Sequence, residues 1–213
     1  MKIVYITYLF ILLLISTACK RESEGDAPLH SADRHTKDSV KASEASNDLA
    51  IKESAYKITQ RQFATTETSV AAHLGNIISS YLSVKDDLVL SNPKSVAQSA
   101  ASFKRATTGF DKSYLTLSQK KVYDSYFEKI SVQMESLSQL SDIEKQRSVF
   151  ADLTQNIYQL ALAFGYNNTL FNNECPMAQN GRGANWLSAE PEIKNPYYGA
   201  SMLSCGKIIE EIR

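Results

Sequence analysis

From about residue 66 to residue 165, apolar residues recur every three or four positions. That is the spacing of one face of an α-helix. Val70, Leu74, Ile77, Ile78, Tyr81 and Leu82 form the first stripe, predicting a helix that runs to about residue 84. Asn92-Pro93 then reads as an N-cap followed by proline at the first helical position, where a missing N–H costs nothing. Val96, Ala100, Phe103 and Phe110 mark the inner face of a second helix. A third is expected behind Ser118, with Val122, Tyr126, Ile130, Met134 and Leu137 as its stripe. Ser141 with Glu144 has the form of a capping box for a fourth. That helix would carry Phe150, Leu153, Ile157, Leu160, Ala161 and Phe164, with Gly165 as its C-terminal stop. Four amphipathic helices joined by short loops predict a mainly α fold, an antiparallel four-helix bundle over residues 66–165.

Two other regimes flank the helical one. Lys2 precedes an apolar run over residues 3–15, 13 residues long. A membrane-spanning helix needs about 20 residues, so the run has the form of a secretory signal segment over residues 1–18. It ends in Ile15-Ser16-Thr17-Ala18-Cys19, which resembles a bacterial lipobox apart from Ser16, where leucine is usual. On that reading Cys19 is the lipidated first residue, anchored firmly by several acyl chains. Residues 19–65 are polar, charged in both signs and without apolar rhythm, the composition of a flexible tether. His30 and His35 fall within it and read as solvated residues.

After Gly165 the helical rhythm gives way to Asn, Gly and Pro punctuation. Residues 166–213 are expected to form a loop-rich C-terminal cap with short strands, part of the same domain. Residues 166–174 and 207–212 are its extended segments.

Charge narrows the partners. Removing residues 1–18 takes away one lysine and no acid, leaving 22 basic against 23 acidic residues, a net charge of −1. A near-neutral chain has no electrostatic footprint for nucleic acid.

The chemistry-bearing residues sit in the cap. Cys175-Pro176-Met177-Ala178 and Met202-Leu203-Ser204-Cys205-Gly206 hold two soft sulfur donors each. Trp186, the chain's one tryptophan, lies between them. Thiolate and thioether together favour a soft ion such as Cu(I) over a hard one. Met177 and Met202 need lose no proton to bind, whereas Cys175 and Cys205 do. Trp186 could shield such a site with its indole face. On residue types alone, a structural Cys175–Cys205 disulfide closing a 31-residue loop is the favoured reading. The loop-entropy model values that closure at roughly 3–4 kcal/mol. With Cys19 lipidated, these are the two remaining cysteines, and outside the cytoplasm two thiols tend to be bridged or metal-held.

Enzymatic readings find little. No histidine lies in the cap to activate a serine, and no Cys-x-x-Cys is present for thioredoxin-type exchange. Asn180-Gly181-Arg182-Gly183 lacks the lysine and frame of a phosphate loop. Asn195-Pro196-Tyr197-Tyr198-Gly199 reads as a turn with packed rings, and His73, beside the first stripe, as a packed histidine.

The cap motifs, with Gly183-Ala184-Asn185-Trp186-Leu187-Ser188 and Glu192-Ile193-Lys194-Asn195-Pro196-Tyr197-Tyr198-Gly199 between them, resemble the bacterial domain of unknown function 3347. Tyr81-Leu82-Ser83-Val84-Lys85-Asp86-Asp87-Leu88-Val89 and Gln146-Arg147-Ser148-Val149-Phe150-Ala151-Asp152-Leu153 extend the resemblance to roughly residues 70–210. Asn172-Asn173-Glu174 departs from it, since aromatic residues often stand there. The resemblance implies a helical bundle, secreted or lipoprotein forms, fusion to periplasmic heavy-metal efflux adaptors, and an association with copper. With it, the expectation becomes a cell-envelope lipoprotein, not an enzyme. It would be held to a membrane by its lipid and capture Cu(I) through Cys175, Met177, Met202 and Cys205 for buffering or for an efflux adaptor. The alternative is a structural or interaction lipoprotein whose cap is stapled by Cys175–Cys205.

Overall fold

The computed structural model describes residues 56–213. The expected signal segment, Cys19, His30, His35 and most of the tether lie outside the described residues.

Four long helices carry the core: α1 (Thr68–Val89), α2 (Pro93–Thr107), α3 (Leu117–Gln139) and α4 (Ile143–Phe164). The stripe of α1 is fully buried at Val70, Ile77, Tyr81, Val84 and Leu88. It meets Val96, Ala100 and Phe103 of α2, Ile130, Met134 and Leu137 of α3, and Phe150, Leu153, Ile157 and Leu160 of α4 in one cluster. Each Val, Leu, Ile, Phe or Met side chain among them is worth about 1.5–3 kcal/mol when removed from water. α1 packs on α2, α2 on α3, α3 on α4 and α4 back on α1.

Local signals set the helix ends. Asn92 accepts the Ser95 N–H at 3.2 Å, with Pro93 at the first position. Gly165 ends α4 at φ +74°, a conformation that favours glycine. Four details differ from the sequence reading. α1 runs on to Val89, past the expected end near residue 84. α3 is capped by Thr116, not Ser118, because Thr116 has Gln119 three residues on to complete the capping box. α4 is capped by Asp142, next to Ile143, rather than by Ser141. α2 ends at Thr107, so Phe110 lies beyond it and stacks on His73 at 3.9 Å between centroids.

His73 is buried, with Nε2 2.8 Å from the Tyr123 hydroxyl. Burial lowers its pKa from 6.5 to about 4, so the ring is neutral at physiological pH. It is a packed histidine.

A four-stranded sheet accompanies the helices: β1 (Lys57–Thr59), β2 (Leu170–Cys175), β3 (Ala184–Ser188) and β4 (Lys207–Ile212). Their order is β1-β4-β2-β3, with β1 parallel to β4 and the other pairs antiparallel. The register of β2 on β4 shifts between Asn172 and Asn173, a bulge near the middle of the pair. Tyr81 fastens the β3 edge to the helices: its buried hydroxyl accepts the Leu187 N–H at 2.9 Å and lies 2.9 Å from Thr154 Oγ1.

The structured body starts earlier than composition indicates. Residues assigned to a tether ending at 65 include β1, and Gln62 and Phe63 donate backbone N–H groups to Leu162 and Ala163 at 2.9 and 2.8 Å. Three strand residues are too few to show a period, so β1 left no trace in the pattern. Its docking is electrostatic as well. The buried Glu210 carboxylate of β4 takes hydrogen bonds from Thr59 and, at 2.6 Å, from Tyr158, and a salt bridge from Lys57 at 3.1 Å. Burial pushes the Glu210 pKa up, but the donors Thr59, Tyr158, Lys57 and Asn172 together outweigh burial and hold it below the ordinary carboxylate range. Among the described residues, no helix is long and apolar enough to cross a membrane.

Candidate functional site

The site forms where β2 ends and β4 begins. Cys175 is the last residue of β2 and is fully buried. Cys205 is partly buried and stands two residues before β4. Thirty residues apart in sequence, their sulfurs lie 3.1 Å apart, one thiol donating to the other. The Cys205 pKa is raised by this hydrogen bond first, then by burial and by repulsion from an ionised Cys175.

The separation suits two chemistries. A disulfide bond is about 2.05 Å long. Two thiolates on a tetrahedral metal, each at about 2.3 Å, stand about 3.8 Å apart. From 3.1 Å either state needs a shift on the order of an ångström.

The backbone at each thiol is unusual. After Cys175-Pro176-Met177 the chain makes one left-handed turn, with Gln179 at φ 52°, Asn180 at φ 59° and Gly181 at φ 81°. Gln179 costs roughly 1–2 kcal/mol in that conformation, whereas asparagine, like Asn180, adopts it more readily. Two backbone bonds, Gly181 N–H to Met177 O at 3.1 Å and Gly183 N–H to Ala178 O at 3.0 Å, hold the turn closed. Gln179 also donates to the Arg147 carbonyl at 3.3 Å. Before Cys205 a 3-10 turn spans Gly199–Met202, and the Cys205 N–H bonds Met202 O at 3.0 Å. Gly206 follows at φ +148°, and a Cβ there would lie 2.6 Å from Cη2 of Trp186. The indole therefore stands against the backbone immediately after Cys205.

The Asn-Pro-Tyr-Tyr-Gly segment does more than turn. Asn195, fully buried, donates to the Cys205 carbonyl at 2.7 Å and accepts the Tyr197 N–H at 2.8 Å. Tyr198 donates its hydroxyl to the Met177 carbonyl at 2.6 Å. One short segment thus holds both sulfur-bearing turns. Arg147 fixes that segment to the helices: Nε donates to Pro196 O at 3.0 Å, and the guanidinium reaches Ser91 at 2.9 Å and Glu144 at 2.6 Å. The sequence marked Asn195 and Tyr198 only as part of a turn with packed rings and gave Arg147 no role at the site, because a polar side chain that holds a backbone carbonyl has no spacing signature.

The other expected residues are placed as follows. Met177 is 52% exposed and Met202 partly buried. Neither thioether shares a hydrogen bond with the thiol pair. Trp186 is fully buried, and its Nε1 has no hydrogen-bond partner. Asn173, opposite it on β2, is also fully buried, with Oδ1 unpartnered. Among the described residues no three His, Cys, Asp or Glu side chains converge. A groove of about 690 Å³ between α2 and α3 is lined by Ala100, Phe103, Phe127 and Met134 among others, and holds no thiol.

Residues 77–169 match the family model described as a protein of unknown function (DUF3347), the family that the residue motifs resemble. The match runs from within α1 to just before β2 and stops six residues short of Cys175. No curated protein and no solved structure matches the chain.

Proposed function

We propose that this chain is an extracytoplasmic, membrane-anchored protein that captures Cu(I) through the Cys175–Cys205 thiol pair. Met177 and Met202 supply further soft donors, and the ion is buffered or passed to a heavy-metal efflux adaptor. The lipid at Cys19 provides the anchor, and the cell envelope is the compartment. The observation that carries the reading is the 3.1 Å meeting of two thiols that are 30 residues apart. A two-thiol site to which, among the described residues, no carboxylate or imidazole adds a third donor suits a soft monovalent cation, while Zn²⁺ in a structural site takes four strong donors.

The helices serve as a scaffold. Sequential packing of α1 to α4 through short connections supports an antiparallel four-helix bundle. Arg147, from one of those helices, holds the segment that carries Asn195 and Tyr198, so the sulfur turns rest on a rigid body. Capture displaces the thiol protons, so affinity falls in acid, the more so because the Cys205 proton is held more tightly than usual.

Burial of Cys175 favours a second reading, in which the pair is a permanent disulfide and the protein a structural or interaction lipoprotein. The two separate on the reduced full chain titrated with Cu(I) against a chromophoric chelator. Capture of one equivalent supports the metal reading. No competition from folded, reduced protein, with the native pair resisting mild reductant, supports the staple.

A further inference from the structure

We propose that Cys205 is a site of modification by small disulfides, with Cys175 as its resolving thiol, so that oxidation of the pair closes the metal site. The gating part rests on the reading of the pair as metal ligands; the order of exchange does not.

The asymmetry of the pair carries the inference. Cys175 has no exposed surface and is held in β2 between β3 and β4. Cys205 is partly exposed and lies at the end of the connection between β3 and β4. An incoming disulfide therefore meets Cys205 first. Its thiolate attacks one sulfur of R–S–S–R, forming Cys205–S–S–R and releasing R–S⁻. Cys175 Sγ then stands beside the modified sulfur, 3.1 Å away in the resting pair. Its thiolate attacks Cys205 Sγ, the Cys175–Cys205 bond forms, and the second R–S⁻ leaves on the exposed side. Two thiol protons and two electrons pass from the protein to one small disulfide, which becomes two small thiols. Closure needs about an ångström of sulfur movement. The Asn195 bond to the Cys205 carbonyl holds the backbone, so the shift falls on the side chains. The product has no thiolate left to bind Cu(I).

The test uses the full chain in a Cys19→Ser background, reduced and metal-free, exposed anaerobically to oxidised glutathione. Acid quenching, alkylation and intact mass spectrometry read the products. The parent is expected to pass through one glutathione adduct to an internal disulfide. Cys175→Ser should accumulate the adduct on Cys205. Cys205→Ser should stay unmodified while folded and become modified in urea, which shows that burial and not intrinsic reactivity protects Cys175. Equal modification of both folded variants, or a parent that never forms the bond, overturns the exchange order. Cu(I) titration of the same samples separates the two proposals. Capture by reduced but not oxidised chain supports the gate. Equal capture by both overturns the gate, and capture by neither overturns the metal reading as well. Reduced chain that captures Cu(I) but resists glutathione leaves the metal reading intact and overturns this one.

Discussion

Asn195→Ala removes the side chain that holds Cys205 in place. The substitution orphans two backbone groups, the Cys205 carbonyl bonded at 2.7 Å and the Tyr197 N–H bonded at 2.8 Å. A buried polar group left without a partner costs about 1–3 kcal/mol. The Tyr197 N–H belongs to a buried residue and bears close to the full penalty. Cys205 is partly exposed, so water can reach its carbonyl and soften the loss. The expected destabilisation is about 2–4 kcal/mol, taking the lower and middle part of the two-group sum. Denaturant unfolding followed by the fluorescence of Trp186, the chain's one tryptophan, measures it. The midpoint should fall with little change in slope, since the surface exposed on unfolding is unchanged. Cu(I) affinity of the folded variant should fall too, because the Cys205 turn loses its fixed point. A loss below about 0.5 kcal/mol, the range of an ordinary surface substitution, would refute the argument that this side chain holds the turn.

Three further outcomes are expected. Met177→Ala should leave stability within about 0.5 kcal/mol, since the side chain is largely exposed, while weakening Cu(I) capture in chelator competition. Gly206→Ala should destabilise by about 1–3 kcal/mol in a thermal melt, because the new Cβ meets Trp186 at 2.6 Å and Glu174 O at 3.0 Å. Stability should decline as pH falls from about 6.5 to about 4: His73 stays neutral in the fold down to about 4 while the unfolded chain takes up a proton near 6.5. In His73→Gln that part of the decline should disappear from unfolding curves measured across the same range.

The helices were legible because burying one face imposes a period on many residues at once. Val70, Leu74, Ile77, Ile78 and Tyr81 could be read as a buried stripe without knowing what they touch. Asn92-Pro93 and Gly165 were readable because each solves a local backbone problem. β1 was not, since Lys57–Thr59 is defined by β4, which lies some 150 residues later in the chain. In α3 the buried ring is Tyr123, with Val122 and Tyr126 only partly buried, an offset of one residue that spacing alone does not fix. The four sulfur residues stood out by type. That the two thiols meet depends on the β2–β4 pairing, which no spacing encodes. The supports of the site were the least visible part. Asn195, Tyr198 and Arg147 act on main-chain carbonyls whose positions exist only in the folded chain.

X-ray absorption at the copper edge, on reduced chain loaded with one equivalent of Cu(I), reads the donor atoms around the ion. The first shell should be sulfur alone, with Cys175→Ser and Cys205→Ser each removing one sulfur scatterer. A shell of oxygen or nitrogen, or a spectrum unchanged when both cysteines are replaced, would contradict capture by the thiol pair.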